Sequence, residues 1–88
     1  MKMYAYVIID CIGKPCVQYI SKNRKILEEY KETLYNTYKD TTVCTLFLEE
    51  FNEEDLVIDV KFRDYIIPYN ANIIEAYHMY SNKFERYK

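Results

Sequence analysis

Glycine occurs once in these 88 residues, proline twice, histidine once, cysteine three times and tryptophan not at all. A lone Gly13 rules out a GxGxxG fingerprint, and Gly13-Lys14 lacks both the glycine-rich lead and the following Ser or Thr of a phosphate-binding loop. So few glycines and prolines argue for regular elements joined by short connections. The single His78 falls off the apolar stripe of its segment, beside Ile74 and Ser81, without the orienting partner and pocket that a general base needs. Cys11, Cys16 and Cys44 are too sparse and odd in number for a disulfide-stapled secreted domain. A zinc site needs about four ligands at set spacings. Beyond Cys11 and Cys16, which flank the first turn, only Cys44 and His78 are on offer. No metal and no cofactor is expected. No apolar run approaches the ~20 residues of a membrane span, and the run at residues 3–9 is too short for a signal peptide and stops at Asp10. The expected compartment is a reducing cytoplasm.

Half the residues are hydrophobic and 17% are aromatic, with eleven tyrosines. This supports one domain over residues 1–88 with a genuine core, and excludes disorder, which needs low hydrophobicity and high net charge. The abundance of Lys, Asn, Ile and Tyr matches AT-rich codons and so a low-GC genome, cellular or viral. Net charge is only −2, but it is unevenly spread. Residues 1–25 hold five bases and one acid, residues 26–59 ten acids and two bases, and residues 60–88 five bases and three acids. An acidic middle steers a basic partner. Direct nucleic-acid binding is not expected, because it calls for a basic face and a high pI.

The apolar and β-branched run at 3–9 predicts a central strand, and a turn through Gly13 and Pro15 leads to a second strand at 16–20. Ser21 is placed to cap a helix running to about Lys39, with Ile26, Leu27, Tyr30, Leu34, Thr37 and Tyr38 on one stripe. Residues 43–50 alternate as a third strand. In residues 56–63, Leu56, Ile58, Val60 and Phe62 alternate with Val57, Asp59, Lys61 and Arg63, which predicts a half-buried fourth strand. Asn70 or Asn72, with Glu75 in capping-box position after Asn72, starts a last helix carrying Ile73, Ala76, Tyr77, Tyr80, Phe84 and Tyr87 on one face. The expected fold is α+β, in the order β-β-α-β-β-α, with a four-stranded antiparallel sheet and two helices on one face.

The most distinctive patch is Glu49-Glu50-Phe51-Asn52-Glu53-Glu54-Asp55, five carboxylates in seven residues at the expected tip of the second hairpin. Such a surface docks on a basic groove or imitates phosphates. The blander alternative is a solvated turn whose charges discourage edge-to-edge aggregation. Its spacing does not match a calcium-binding EF-hand loop. Tyr35, outside its helix's apolar stripe, and Tyr65 and Tyr69, which border Pro68, are candidate anchors, since tyrosine offers a large contact area with few rotatable bonds. The candidate partner-binding set is therefore Glu49, Glu50, Glu53, Glu54, Asp55, Tyr35, Tyr65 and Tyr69. No catalytic set emerges, and Asp55, Asp59 and Asp64 lack the ligand geometry of a nuclease.

The opening Tyr4-Ala-Tyr-Val-Ile-Ile-Asp-Cys-Ile-Gly-Lys-Pro, then Val17-Gln-Tyr-Ile-Ser21 and an acidic amphipathic helix, resembles short accessory proteins of low-GC phages and mobile elements. The resemblance covers roughly the first forty residues and carries over no functional residue. It implies a class in which anti-restriction and anti-CRISPR inhibitors are prominent. The expected function is thus a non-enzymatic, phage-encoded inhibitor that blocks a bacterial host protein, such as a nuclease, through the acidic hairpin. A homodimer is left open. One alternative is an oligomeric sponge holding a nucleotide signal between tyrosines and Lys14, Lys22, Arg24 and Lys25. Another is a small regulatory module that adds a partner peptide at a sheet edge.

Overall fold

Strand β1 (Lys2–Ile9) is apolar on both faces because both are covered. In the computed structural model Tyr6 and Ile8 point to one side of the sheet, and Met3, Ala5 and Val7 to the other. The structure describes residues 1–9, 13, 15–40, 45–61, 64–79 and 81–87. Asp10, Cys11, Lys14, Val43, Cys44, Phe62, Arg63 and Tyr80, each given a place by the sequence reading, lie outside the described residues.

β1 pairs antiparallel with β2 (Pro15–Ser21) and with β3 (Thr45–Asn52). β3 pairs on its other edge with β6 (Asn72–His78), and β6 with β7 (Lys83–Arg86). The result is a five-stranded antiparallel sheet in the order β2-β1-β3-β6-β7. Strands β4 (Val57–Asp59) and β5 (Asp64–Ile66) form a separate two-stranded hairpin between β3 and β6. This overturns the expected four-stranded sheet with two helices on one face.

Two departures account for the difference. The segment expected as a last helix is the β6–β7 hairpin. β3 carries buried side chains on both faces, Leu46 and Leu48 toward one and Phe51 toward the other, so it sits inside the sheet and both of its edges need hydrogen-bonding partners. Segment 72–78 supplies the second edge. Its turn includes Ser81 and Asn82, with Asn82 at φ 52°, the left-handed conformation that asparagine tolerates well. The second departure concerns segment 56–63. Its alternation does mark a strand, but β4 pairs only with β5 and stays outside the main sheet, and its apolar side chains are exposed.

The expected helix at 21–39 is present but broken in two, as α1 (Arg24–Glu28) and α2 (Lys31–Tyr38). The cap is Asn23, not Ser21: the backbone N–H groups of Lys25 and Ile26 donate to Asn23 Oδ1 at 3.0 and 3.4 Å. Ser21 Oγ accepts from Asn23 N–H instead. At the break, Glu29 and Tyr30 N–H groups reach back three residues, to Ile26 and Leu27 carbonyls. There Tyr30 stacks on Tyr19 of β2, ring centroids 4.3 Å apart. Leu27 and Leu34 bury themselves against Tyr6, Ile8, Leu46, Leu48 and Ile74. Ile26 and Tyr30, expected on the buried stripe, are exposed.

Candidate functional site

The helices cover one face of the sheet, and residues 56–61 and 64–71, together the arm, lie on the other. Leu56, Ile67 and Ala71 anchor the arm on Met3, Ala5, Val7 and Phe51. Beside that anchor the arm roofs a cavity of about 330 Å³. Its sheet side is formed by Val7, Ile9, Pro15, Val17 and Glu49, and its arm side by Asp64, Tyr65, Ile66, Ile67, Pro68 and Tyr69. The size is at the low end of ligand-site cavities.

Two carboxylates line this cavity among the described residues, Glu49 from the main sheet and the exposed Asp64 from the arm. Glu49 lies opposite Ala5 of β1 and is half-buried. Burial pushes its carboxyl above the ordinary carboxylate value, because ionising it in apolar surroundings is costly. Glu49 meets no ion-pair or hydrogen-bond partner among the described side chains. Its acidic neighbours differ. Glu50 pairs with Lys2 at 3.5 Å, Glu53 with Lys22 at 3.0 Å, and Glu54 with the N-terminal ammonium at 3.2 Å. The Glu54 carboxyl is held below its ordinary value, first by its own backbone N–H and then by that ammonium. Glu53, Glu54 and Asp55 form a single 3-10 turn at the end of β3, where the chain leaves the main sheet for the arm.

The structure thus divides the eight candidate residues. Glu49, Tyr65 and Tyr69 line one cavity. Glu50, Glu53 and Glu54 are tied to the chain's own cations, and Asp55 shares the turn without lining the cavity. Tyr35 stands across the sheet on α2, its ring edge-on to Tyr77 at 5.1 Å, beside a more open hollow lined by Glu28, Lys31, Glu32, Tyr35 and Tyr77. Of the bases considered for a nucleotide, Lys22 pairs with Glu53, and Arg24 with Glu28 and Glu75, while Lys14 lies outside the described residues.

Sequence reasoning read the apolar alternation of the arm but missed that its apolar side chains are exposed. Val57, Ile58, Val60 and Ile66 are all at least half exposed, Val60 at 83%, and Tyr69 at 98%. The alternation at 56–63 was the available signal, but period 2 says only that one face is apolar and not what covers it. Also missed was the role of Glu75. Its buried carboxylate gathers Arg24, Lys31 and Arg86 at 3.3–3.5 Å, on the helix side of the sheet.

No protein-family model, curated protein or solved structure matches the chain. No helix among the described residues is long and apolar enough to cross a membrane.

Proposed function

We propose that this chain is a binding module that works by covering a partner protein's surface, with the arm and the groove beneath it as the contact. The observation that carries this reading is the exposed apolar hairpin. Val57, Ile58, Val60, Ile66 and Tyr69 stand in solvent along the arm, and the buried clusters on both faces of the sheet are formed without them. Contiguous apolar exposure rimmed by charge is the usual mark of an interaction surface, and aliphatic and aromatic side chains together give such surfaces their anchors. The pairing of Glu50, Glu53 and Glu54 with internal cations favours docking through the arm over imitation of nucleic-acid phosphates.

Within this reading, the partner class that accords with the resemblance of the first forty residues is a bacterial defence protein such as a nuclease, inhibited by steric cover. A photo-crosslinking residue placed at Val60 or Tyr69, and a control at Lys39, test the surface in a bacterial lysate. Discrete adducts from the arm positions and none from Lys39 are expected. Equal labelling from all three, or none, overturns the proposal. If the captured protein is a nuclease, adding the chain should suppress its cleavage and the Ile58→Asp variant should not.

A further inference from the structure

We infer that the groove under the arm receives an arginine side chain of the partner, with Glu49 as its counter-ion. The inference rests on the arm being the contact surface and specifies what the partner must bring to it.

Three features of the groove converge on that chemistry. The floor and roof, Val7, Val17, Ile66 and Pro68 among them, are apolar and suit the methylene stem of a long side chain. At the floor lies Glu49, half-buried and unpartnered among the described side chains, whereas Glu50, Glu53 and Glu54 are each paired. A desolvated carboxylate without a partner is costly, and a cation brought in by a ligand relieves that cost where water is already partly excluded. On the arm side, Asp64 is exposed and its Oδ1 accepts from the Tyr65 N–H, and Tyr65 and Tyr69 present rings open to solvent. A guanidinium stacks on aromatic faces and binds a carboxylate through two parallel hydrogen bonds. Lysine offers a point charge that is more strongly hydrated and loses more on entering an apolar groove.

The occupant is assigned to a partner protein and not to a free small molecule because the cavity shares its wall with the exposed arm. Tyr65, Ile66 and Tyr69 belong to both, so a chain lying on the arm is positioned to send a side chain beneath it.

The test uses the full chain and three blocked tripeptides, acetyl-Leu-Arg-Leu-amide and its citrulline and lysine counterparts, followed by ¹H–¹⁵N NMR titration. The arginine peptide should bind in the millimolar range, shift Val7, Val17, Glu49 and Ile66, and exceed the citrulline peptide about tenfold, as a hydrogen-bonded charge pair implies. The lysine peptide should fall between them. Glu49→Gln should reduce arginine-peptide binding about tenfold with an otherwise unchanged spectrum. Tyr69→Ala, at a fully solvent-exposed side chain, should reduce it two- to threefold, about what a single exposed cation–π contact supplies.

Equal binding of the arginine and citrulline peptides overturns the inference. So do shifts centred on Tyr35 and Tyr77, or concentration-dependent shifts of the groove in the chain alone, which would mean that a second copy fills it. Any of these leaves arm crosslinking untouched. Conversely, arginine-specific binding at Glu49 without arm adducts would separate the groove chemistry from the docking surface.

Discussion

Glu75 and Arg86 face each other across the β6–β7 pair, with Arg86 Nε 3.4 Å from Glu75 Oε1. The same carboxylate holds Arg24 from α1 and Lys31 from α2, so one side chain links the last hairpin to both helices. Its own side chain is 6% exposed, while the cations around it are 36–70% exposed. That asymmetry predicts asymmetric mutations. Glu75→Ala removes the shared partner, but the stranded cations can turn to water, so the loss should be about 1–3 kcal/mol, less than for a fully buried pair. Arg86→Ala should cost under about 1 kcal/mol. Urea denaturation of the two variants checks the ordering.

Tyr6 lies beneath the same cluster. Its hydroxyl is buried and has no hydrogen-bond partner among the described residues. Burial, then the charges of Glu75 and Glu28, drive its ionisation far above the ordinary tyrosine range, so it stays neutral. An unsatisfied buried hydroxyl is a net cost, and Tyr6→Phe keeps the ring and removes the cost. The variant should be more stable than the wild type by about 1 kcal/mol, read as a higher urea midpoint with unchanged slope.

The β6–β7 turn rests on Asn82. In its left-handed conformation a β-carbon is penalised, and its Oδ1 accepts a hydrogen bond from the Tyr77 hydroxyl. Alanine keeps the β-carbon but loses both the amide that eases this backbone locally and the acceptor for Tyr77, so Asn82→Ala should destabilise by about 1 kcal/mol. Asn82→Gly, which relieves the backbone but loses the acceptor, should come close to neutral. Thermal unfolding of both variants distinguishes a backbone role from a side-chain role.

What was legible in the sequence followed from local chemistry. Residues 3–9 announce a strand covered on both sides because every side chain there is apolar or aromatic, and Gly13 and Pro15 mark the turn to β2. The helix at 21–39 was legible from its stripe, but its break was not. Tyr30 leaves the stripe to stack on Tyr19, eleven positions earlier and on another element, and no local pattern encodes that contact. Segment 70–87 misled for a related reason. Asn72 and Glu75 have the spacing of a capping box, yet Glu75 is spent on three cations and the segment on the open edge of β3. In the candidate site, Glu49 was legible only as one of five acids. Its separation from the others depends on β3 placing it opposite Ala5, beneath an arm whose path is set by tertiary contacts.

The arm and the core should respond differently to substitution. Val60 is 83% exposed, and replacing it by Ser removes little buried surface, so stability should stay within about 0.5 kcal/mol of the wild type. Leu48 is fully buried between the sheet and the helices, and Leu48→Ala should cost about 2–5 kcal/mol. If Val60→Ser destabilised as strongly as a core change, the arm would be structural and its exposed residues would not be free for a partner. Calorimetry on the two variants decides the point.

The position of Glu49 also fixes the sign of a pH effect. Its carboxyl is raised by burial in the folded chain, so the folded state holds this proton more tightly than the unfolded state does. The contribution to stability is therefore fully present below the ordinary carboxylate value and is lost as pH rises through the raised folded value. Glu49→Gln carries no ionisable group there and should lose less stability over that interval, becoming the more stable protein at neutral pH. Arginine binding should move the opposite way, because the guanidinium pairs with the ionised form. Affinity for the arginine peptide should rise with pH across the window in which folding stability falls, and the rise should be absent in Glu49→Gln. Urea midpoints and peptide titrations measured at matched pH values on both proteins test the two halves together. A pH-independent arginine affinity in the wild type would show that Glu49 does not face the bound cation.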